Sequence, residues 1–227
     1  MQSKIIGVTG ISGSGASTVA GILSELGGYV ISADKLAHRV MKIGHPAYLE
    51  IIDDFGNDVL TSDMHIDRKK LGKLVFGEEN KEKLRRLESI IHPYVVALID
   101  ESISTCNAAF VVIDAPLLIE SGLYKKCCLV IFVTAPFETR LQRIVKRDSI
   151  DIYDARKRIA SRKNEHDLMK YCHIVVQNSG CMDELRKQVM GDVDHMRHPN
   201  LLYEILREGK KYTFPHDFGL LRKGNID

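Results

Sequence analysis

The stretch that decides the fold is Lys4-Ile5-Ile6-Gly7-Val8-Thr9, then Gly10-Ile11-Ser12-Gly13-Ser14-Gly15-Ala16-Ser17-Thr18, then apolar residues at Val19, Ile22, Leu23 and Leu26. A short β-branched run ending in glycine, followed by apolar residues at helical spacing, reads as strand, loop and helix. The loop fits G-x-x-x-x-G-K-[ST], in the context that motif requires, at every fixed position except the lysine, where Ala16 stands. Its glycines allow backbone N–H groups to turn inward around a phosphate, the helix start adds positive potential, and Ser17 is placed for a magnesium ion. Gly10, Ser12, Gly13, Ser14, Gly15, Ala16, Ser17 and Thr18 are therefore the expected phosphate cradle. The competing reading is a glycine-rich turn that binds nothing.

The missing lysine normally reaches the β- and γ-phosphates, so its loss bears more on rate than on nucleotide binding. Removing one such electrostatic group slows an enzyme by roughly a hundred- to a thousandfold. Ala16 admits three explanations: an introduced inactivating change, natural loss of catalysis, or relocation of the positive charge, with Lys35 or a basic segment further on as the source.

Working outward, Gly27 and Gly28 stop the first helix, and four further apolar runs follow: Tyr29–Ser32, Ala109–Ile113, Leu129–Val133 and His173–Val176. Near-continuous apolar strands indicate a sheet buried on both faces, and helical patterns between them indicate parallel pairing with ligands at the strands' carboxyl ends. The expected fold is an α/β P-loop kinase-type core, a five-stranded parallel sheet flanked by helices. The long gap between the second and third strands calls for an inserted helical subdomain. The expected division is a core of residues 1–34 and 107–190 with a lid at about 147–170, an insertion at 35–106, and a loosely docked tail at 191–227. Within the insertion Leu84, Leu87, Ile91, Val95 and Leu98 recur at helical spacing, and His92-Pro93 is expected to kink or break that helix.

Composition narrows the function. Lys and Arg exceed Asp and Glu by two, so no whole-chain charge calls for nucleic acid or an anionic membrane. No secretory leader or apolar run of membrane-spanning length is visible, and a cytoplasmic location is expected. Five cysteines without a CxxC pair give no zinc framework and read as packing residues; His195 and His198 read as a solvated face rather than a metal pair.

Any anion site must be local. From Arg140 to Lys163 nine basic residues face three acids, and arginines clamp phosphate oxygens in bidentate geometry. Arg140, Arg147 and Arg158 are the candidates, while Arg143 reads as solvated. On the acceptor side Asp34 follows the second strand, where a carboxylate can orient a hydroxyl and take its proton; the alternative is a helix cap.

These residues carry a resemblance. The P-loop, Val30-x-x-Ala33-Asp34-x-x-Ala37-x-Arg39, His92-Pro93, Asp114-Ala115-Pro116-Leu117-Leu118-Ile119-Glu120, Leu123-Tyr124, and Arg140-Leu141 through Arg147 are similar, in order and spacing, to dephospho-CoA kinases over about residues 4 to 190. The resemblance implies a kinase core with a helical CoA-binding insertion and an arginine-bearing lid. It implies transfer of the γ-phosphate of ATP, with Mg2+, to the ribose 3′-hydroxyl of dephospho-CoA. Asp34 would be the base, with Arg140 and Arg147 catalytic and Arg158 on the nucleotide. His38, Arg39, His92, Pro93, Asp114 and Leu117 would contact or support the acceptor. The sequence departs from the family at Ile11, Ala16, Ser32 and Tyr171-Cys172. A silent nucleotide- or CoA-binding homologue, or a kinase for another hydroxyl acceptor, therefore stays open as an alternative.

Overall fold

The computed structural model describes residues 4–160 and 165–190. His195, His198, Arg162, Lys163 and the 191–227 tail lie outside the described residues.

The five apolar runs form strands β1 (Lys4–Gly10), β2 (Gly28–Ser32), β3 (Phe110–Asp114), β4 (Leu129–Thr134) and β5 (Ile174–Gln177), in one sheet ordered β2-β3-β1-β4-β5. β1 pairs in parallel with β3 on one side and β4 on the other, and β4 pairs in parallel with β5. Strand order therefore reverses at β1. A crevice opens at such a switch point beyond the strand's carboxyl end, and the loop from Gly10 begins there.

Helix α1 (Ala16–Glu25) follows the loop and buries Val19, Ala20, Ile22 and Leu23 against the sheet. With Ile6, Val8, Phe110, Val112, Leu129, Ile131 and Val133 these residues form the main core, which Ile174, Val176 and, from helix α9 (Met182–Met190), Leu185 and Val189 extend. Gly28 is required by close packing: a Cβ there would lie 2.5 Å from the Phe110 ring.

The chain divides into two compact units, one made of the residues up to Val30 and from Ala108 onward, the other of Ile31–Asn107. In the second, α2 (Ala33–Val40), α3 (Pro46–Phe55) and α4 (Arg68–Val75) pack on α5 (Lys81–Thr105). α5 corrects one expectation, for it is assigned as a single helix straight through Pro93. Proline removes one backbone bond, and packing of three helices along α5 supplies what that bond does not. Its buried positions are Ile90, Val95 and Ile99; Leu84, Leu87, Ile91 and Leu98 are half-buried.

In the first unit, α6 (Phe137–Asp148) and α7 (Ile152–Ala160) join through a small cluster of Leu141, Ile144 and Ala155, and α8 (Glu165–Met169) precedes β5. All five cysteines are free thiols. Cys172 is buried and burial pushes its thiol up to about 12, as it does for Cys127. Cys181 is exposed, so the packing reading fails for that residue. Among the described residues no helix is long and apolar enough to cross a membrane, and no cluster of three or more His, Cys, Asp or Glu side chains could hold a metal.

Candidate active site

Gly13 and Gly15 adopt the left-handed conformations, φ 80° and 89°, that a side chain resists and glycine does not. A Cβ on Gly13 would lie 2.8 Å from the Arg140 carbonyl oxygen, and one on Gly15 would overlap the Asn178 amide. The turn closes through the Ser14 N–H donating to the Ile11 carbonyl at 3.0 Å. No side chain caps α1 and no acid lies in its first turn, so its leading N–H groups point from an uncompensated positive helix end. The Ser14 hydroxyl is buried without a partner among the described residues, and Ser17 sits in the same first turn. A donor-lined turn at a bare helix start suits a nucleotide's phosphates, and the Ser17 hydroxyl suits their magnesium ion. Ala16 is half-buried, and its methyl packs on the main core.

The loop is held from the side of its carbonyls. Arg143 Nη1 donates to the Gly13 and Ser14 carbonyl oxygens at 3.4 and 3.3 Å, and its Nη2 to the Asn178 carbonyl and Oδ1 at 3.2 and 3.3 Å. Asn178, buried just past β5, donates from Nδ2 to the Ser14 carbonyl at 2.8 Å. The solvated reading of Arg143 is thus wrong: the face it shares with Arg140 lies against the loop. Asn178 had one legible signal, its place at the carboxyl end of a strand.

The three candidate arginines have acidic partners. Arg140 is buried, pairs with Glu165 at 3.3 Å, and keeps its Nε buried without a hydrogen-bond partner. Glu165 also accepts from the Thr134 hydroxyl at 3.2 Å. Arg147 chelates Asp148 through Nε and Nη2 at 2.8 and 2.9 Å, and Arg158 reaches the same carboxylate from α7. Hydrogen bonding from Arg147, aided by Arg158, holds Asp148 below the usual carboxylate range. Asp114 ends β3, buried, and Leu117 is exposed beyond it.

In the second unit Asp34 lies in the first turn of α2, and the cap is Ser32, whose Oγ accepts from Lys35 N–H at 3.4 Å. The capping alternative for Asp34 therefore falls away. His38 stands one turn further on and Arg39 beside it, all three exposed. Burial and then Arg68 hold His38 below its ordinary value, against the opposing pull of Asp34. On α5, His92 has its Nε2 buried without a partner among the described residues, next to exposed Pro93. A cavity lined by Asp54, Phe55, Leu74, Glu82, Lys83 and Arg86 holds none of the expected acceptor residues.

A dephospho-CoA kinase family model matches residues 4–184. The chain belongs to the dephospho-CoA kinase family. It is 40% identical over 189 residues to a dephospho-CoA kinase of Carboxydothermus hydrogenoformans, spanning 82% of this chain and 91% of that protein. A crystal structure of a Thermus thermophilus protein, 31% identical, superposes with a TM-score of 0.72 over 85% of this chain and 99% of that one. Dephospho-CoA kinase from Campylobacter jejuni, 29% identical, superposes at 0.62 over 91% and 98%. Its family makes this chain a P-loop kinase, a transferase of coenzyme A biosynthesis.

Proposed function

We propose that this chain phosphorylates the ribose 3′-hydroxyl of dephospho-CoA with ATP and Mg2+. The observation that carries the reading is the preserved cradle: positive-φ glycines, a bare helix start and a clamped loop, in a chain whose family matches over nearly its whole described length. ATP supplies the phosphoryl group. Ser17 would hold the magnesium ion, and the N–H groups of the loop and first turn would bind phosphate oxygens in place of water. Asp34, exposed and released from capping, would orient the acceptor hydroxyl and take its proton. His38, Arg39, His92 and Pro93 would support the acceptor from the helical unit, and Asp114 and Leu117 from the core. Arg140, Arg147 and Arg158 would turn from their carboxylates to phosphate oxygens as substrate binds, an exchange of one charge-assisted partner for another.

Ala16 favours one competing reading, a homologue that binds nucleotide without turnover. An acceptor panel of dephospho-CoA, nucleosides and sugars with Mg-ATP separates the two. The kinase reading expects dephospho-CoA to react and Asp34→Asn to lower kcat by roughly a hundred- to ten-thousandfold with ATP affinity kept. Reaction of another acceptor alone would refute dephospho-CoA as substrate.

A further inference from the structure

Ala16 leaves the loop without its own cation, and the three candidate phosphate-clamping arginines of the basic segment lean on carboxylates, Arg140 on Glu165 and Arg147 with Arg158 on Asp148. Arg143 differs. Its hydrogen bonds go to three backbone carbonyls and the Asn178 side-chain oxygen, and among the described residues no carboxylate lies within ion-pair distance. Among the described residues, then, no acid neutralises its positive charge at the place where it touches the phosphate loop.

The Ser14 carbonyl receives two of the clamp's donors, Arg143 Nη1 at 3.3 Å and Asn178 Nδ2 at 2.8 Å. In a trans peptide the C=O and N–H point in opposite directions, and the described chain holds no cis bond. Fixing the Ser14 oxygen therefore turns the Gly15 N–H away from the clamp, to the side where a phosphate would sit. The charged guanidinium donor, with the neutral Asn178 amide beside it, also polarises the peptide, which strengthens its N–H as a donor.

We infer that Arg143 and Asn178 are the positioning pair of the phosphate loop, and that Arg143, acting through the Ser14–Gly15 peptide, supplies positive potential in place of the lysine absent at position 16. This rests on the kinase reading for the identity of the nucleotide. It goes beyond that reading in predicting an energetic coupling between positions 16 and 143.

The test is a double-mutant cycle read by Mg-ATP binding without acceptor, then by kcat and KM with dephospho-CoA. In the chain as it stands, Arg143→Gln should weaken Mg-ATP binding about tenfold and lower kcat by about a hundredfold. In the Ala16→Lys background the same change should cost less than about threefold in binding. Arg143→Lys should recover more binding than Gln, because it keeps the charge. Asn178→Ala should raise the KM for ATP and leave that for the acceptor unchanged, which general loosening of the fold would not do. Equal losses in both backgrounds, or no loss, would overturn the inference; so would a lysine variant as poor as glutamine. Should Arg143→Gln melt below assay temperature, the Arg143→Lys and Asn178→Ala pair carries the test. Failure to bind Mg-ATP before any substitution would instead strike the kinase reading.

Discussion

Gly15 joins the two things the phosphate loop needs, a left-handed turn and room for the Asn178 amide against its α-carbon. Gly15→Ala adds a methyl where both are violated, so Mg-ATP affinity should fall by at least about tenfold, a change of about 1.4 kcal/mol in binding free energy. Isothermal titration measures it, and unchanged affinity would show that the loop does not depend on this geometry. Part of this site was legible in the residues alone. The glycine spacing and Ser17 announce a cradle because the motif is local. Arg143 was not legible: arginines at three- and four-residue spacing look the same whether they face water or protein, and the Gly13 carbonyl it binds lies 130 positions away in sequence. Asp34 was half legible, since a carboxylate at a helix start reads as cap or base, and the Ser32 bond to Lys35 removes the first reading only.

Among the elements, the three central strands were legible because each is a nearly unbroken run buried from both faces, while β2 and β5 at the sheet edges leave residues such as Tyr29 and Val175 exposed, so burial on both faces holds for the centre of the sheet alone. α5 was not, since a proline in a helical pattern predicts a break from local sterics and says nothing of three helices packed along it. If that packing holds α5 together, Pro93→Ala should raise unfolding stability by about 1–3 kcal/mol by restoring a backbone bond, read as a higher urea midpoint. A lower midpoint would show that the proline ring is itself packed. The start of β5 carries a pH dependence. His173 Nδ1 accepts from the Val130 N–H at 2.9 Å, and burial holds the ring below its ordinary value of 6.5. A pKa depressed by folding gives stability that is present above the unfolded value and lost as pH falls toward the folded one. The melting temperature should therefore drop between about pH 7.5 and 5, and drop less in His173→Asn, which can accept the same bond without titrating.

For the whole molecule, the two compact units suggest separable kinetic signatures. Changes in the loop-bearing unit, such as Gly15→Ala, should move ATP affinity. Changes in the helical unit, such as Arg39→Ala or His92→Ala, should raise the KM for dephospho-CoA with ATP affinity unchanged; steady-state kinetics with each substrate varied in turn tests the division. This family member is expected to transfer phosphate although Ala16 occupies the lysine's place. The most direct measurement incubates the chain as it stands, beside its Ala16→Lys variant, with Mg-ATP and dephospho-CoA, and quantifies 3′-phosphorylated product by mass spectrometry. Product is expected from both, with the lysine form faster by at most about a hundredfold because Arg143 already supplies part of the charge. Product from the lysine form alone would contradict this expectation and identify a nucleotide-binding homologue that no longer turns over.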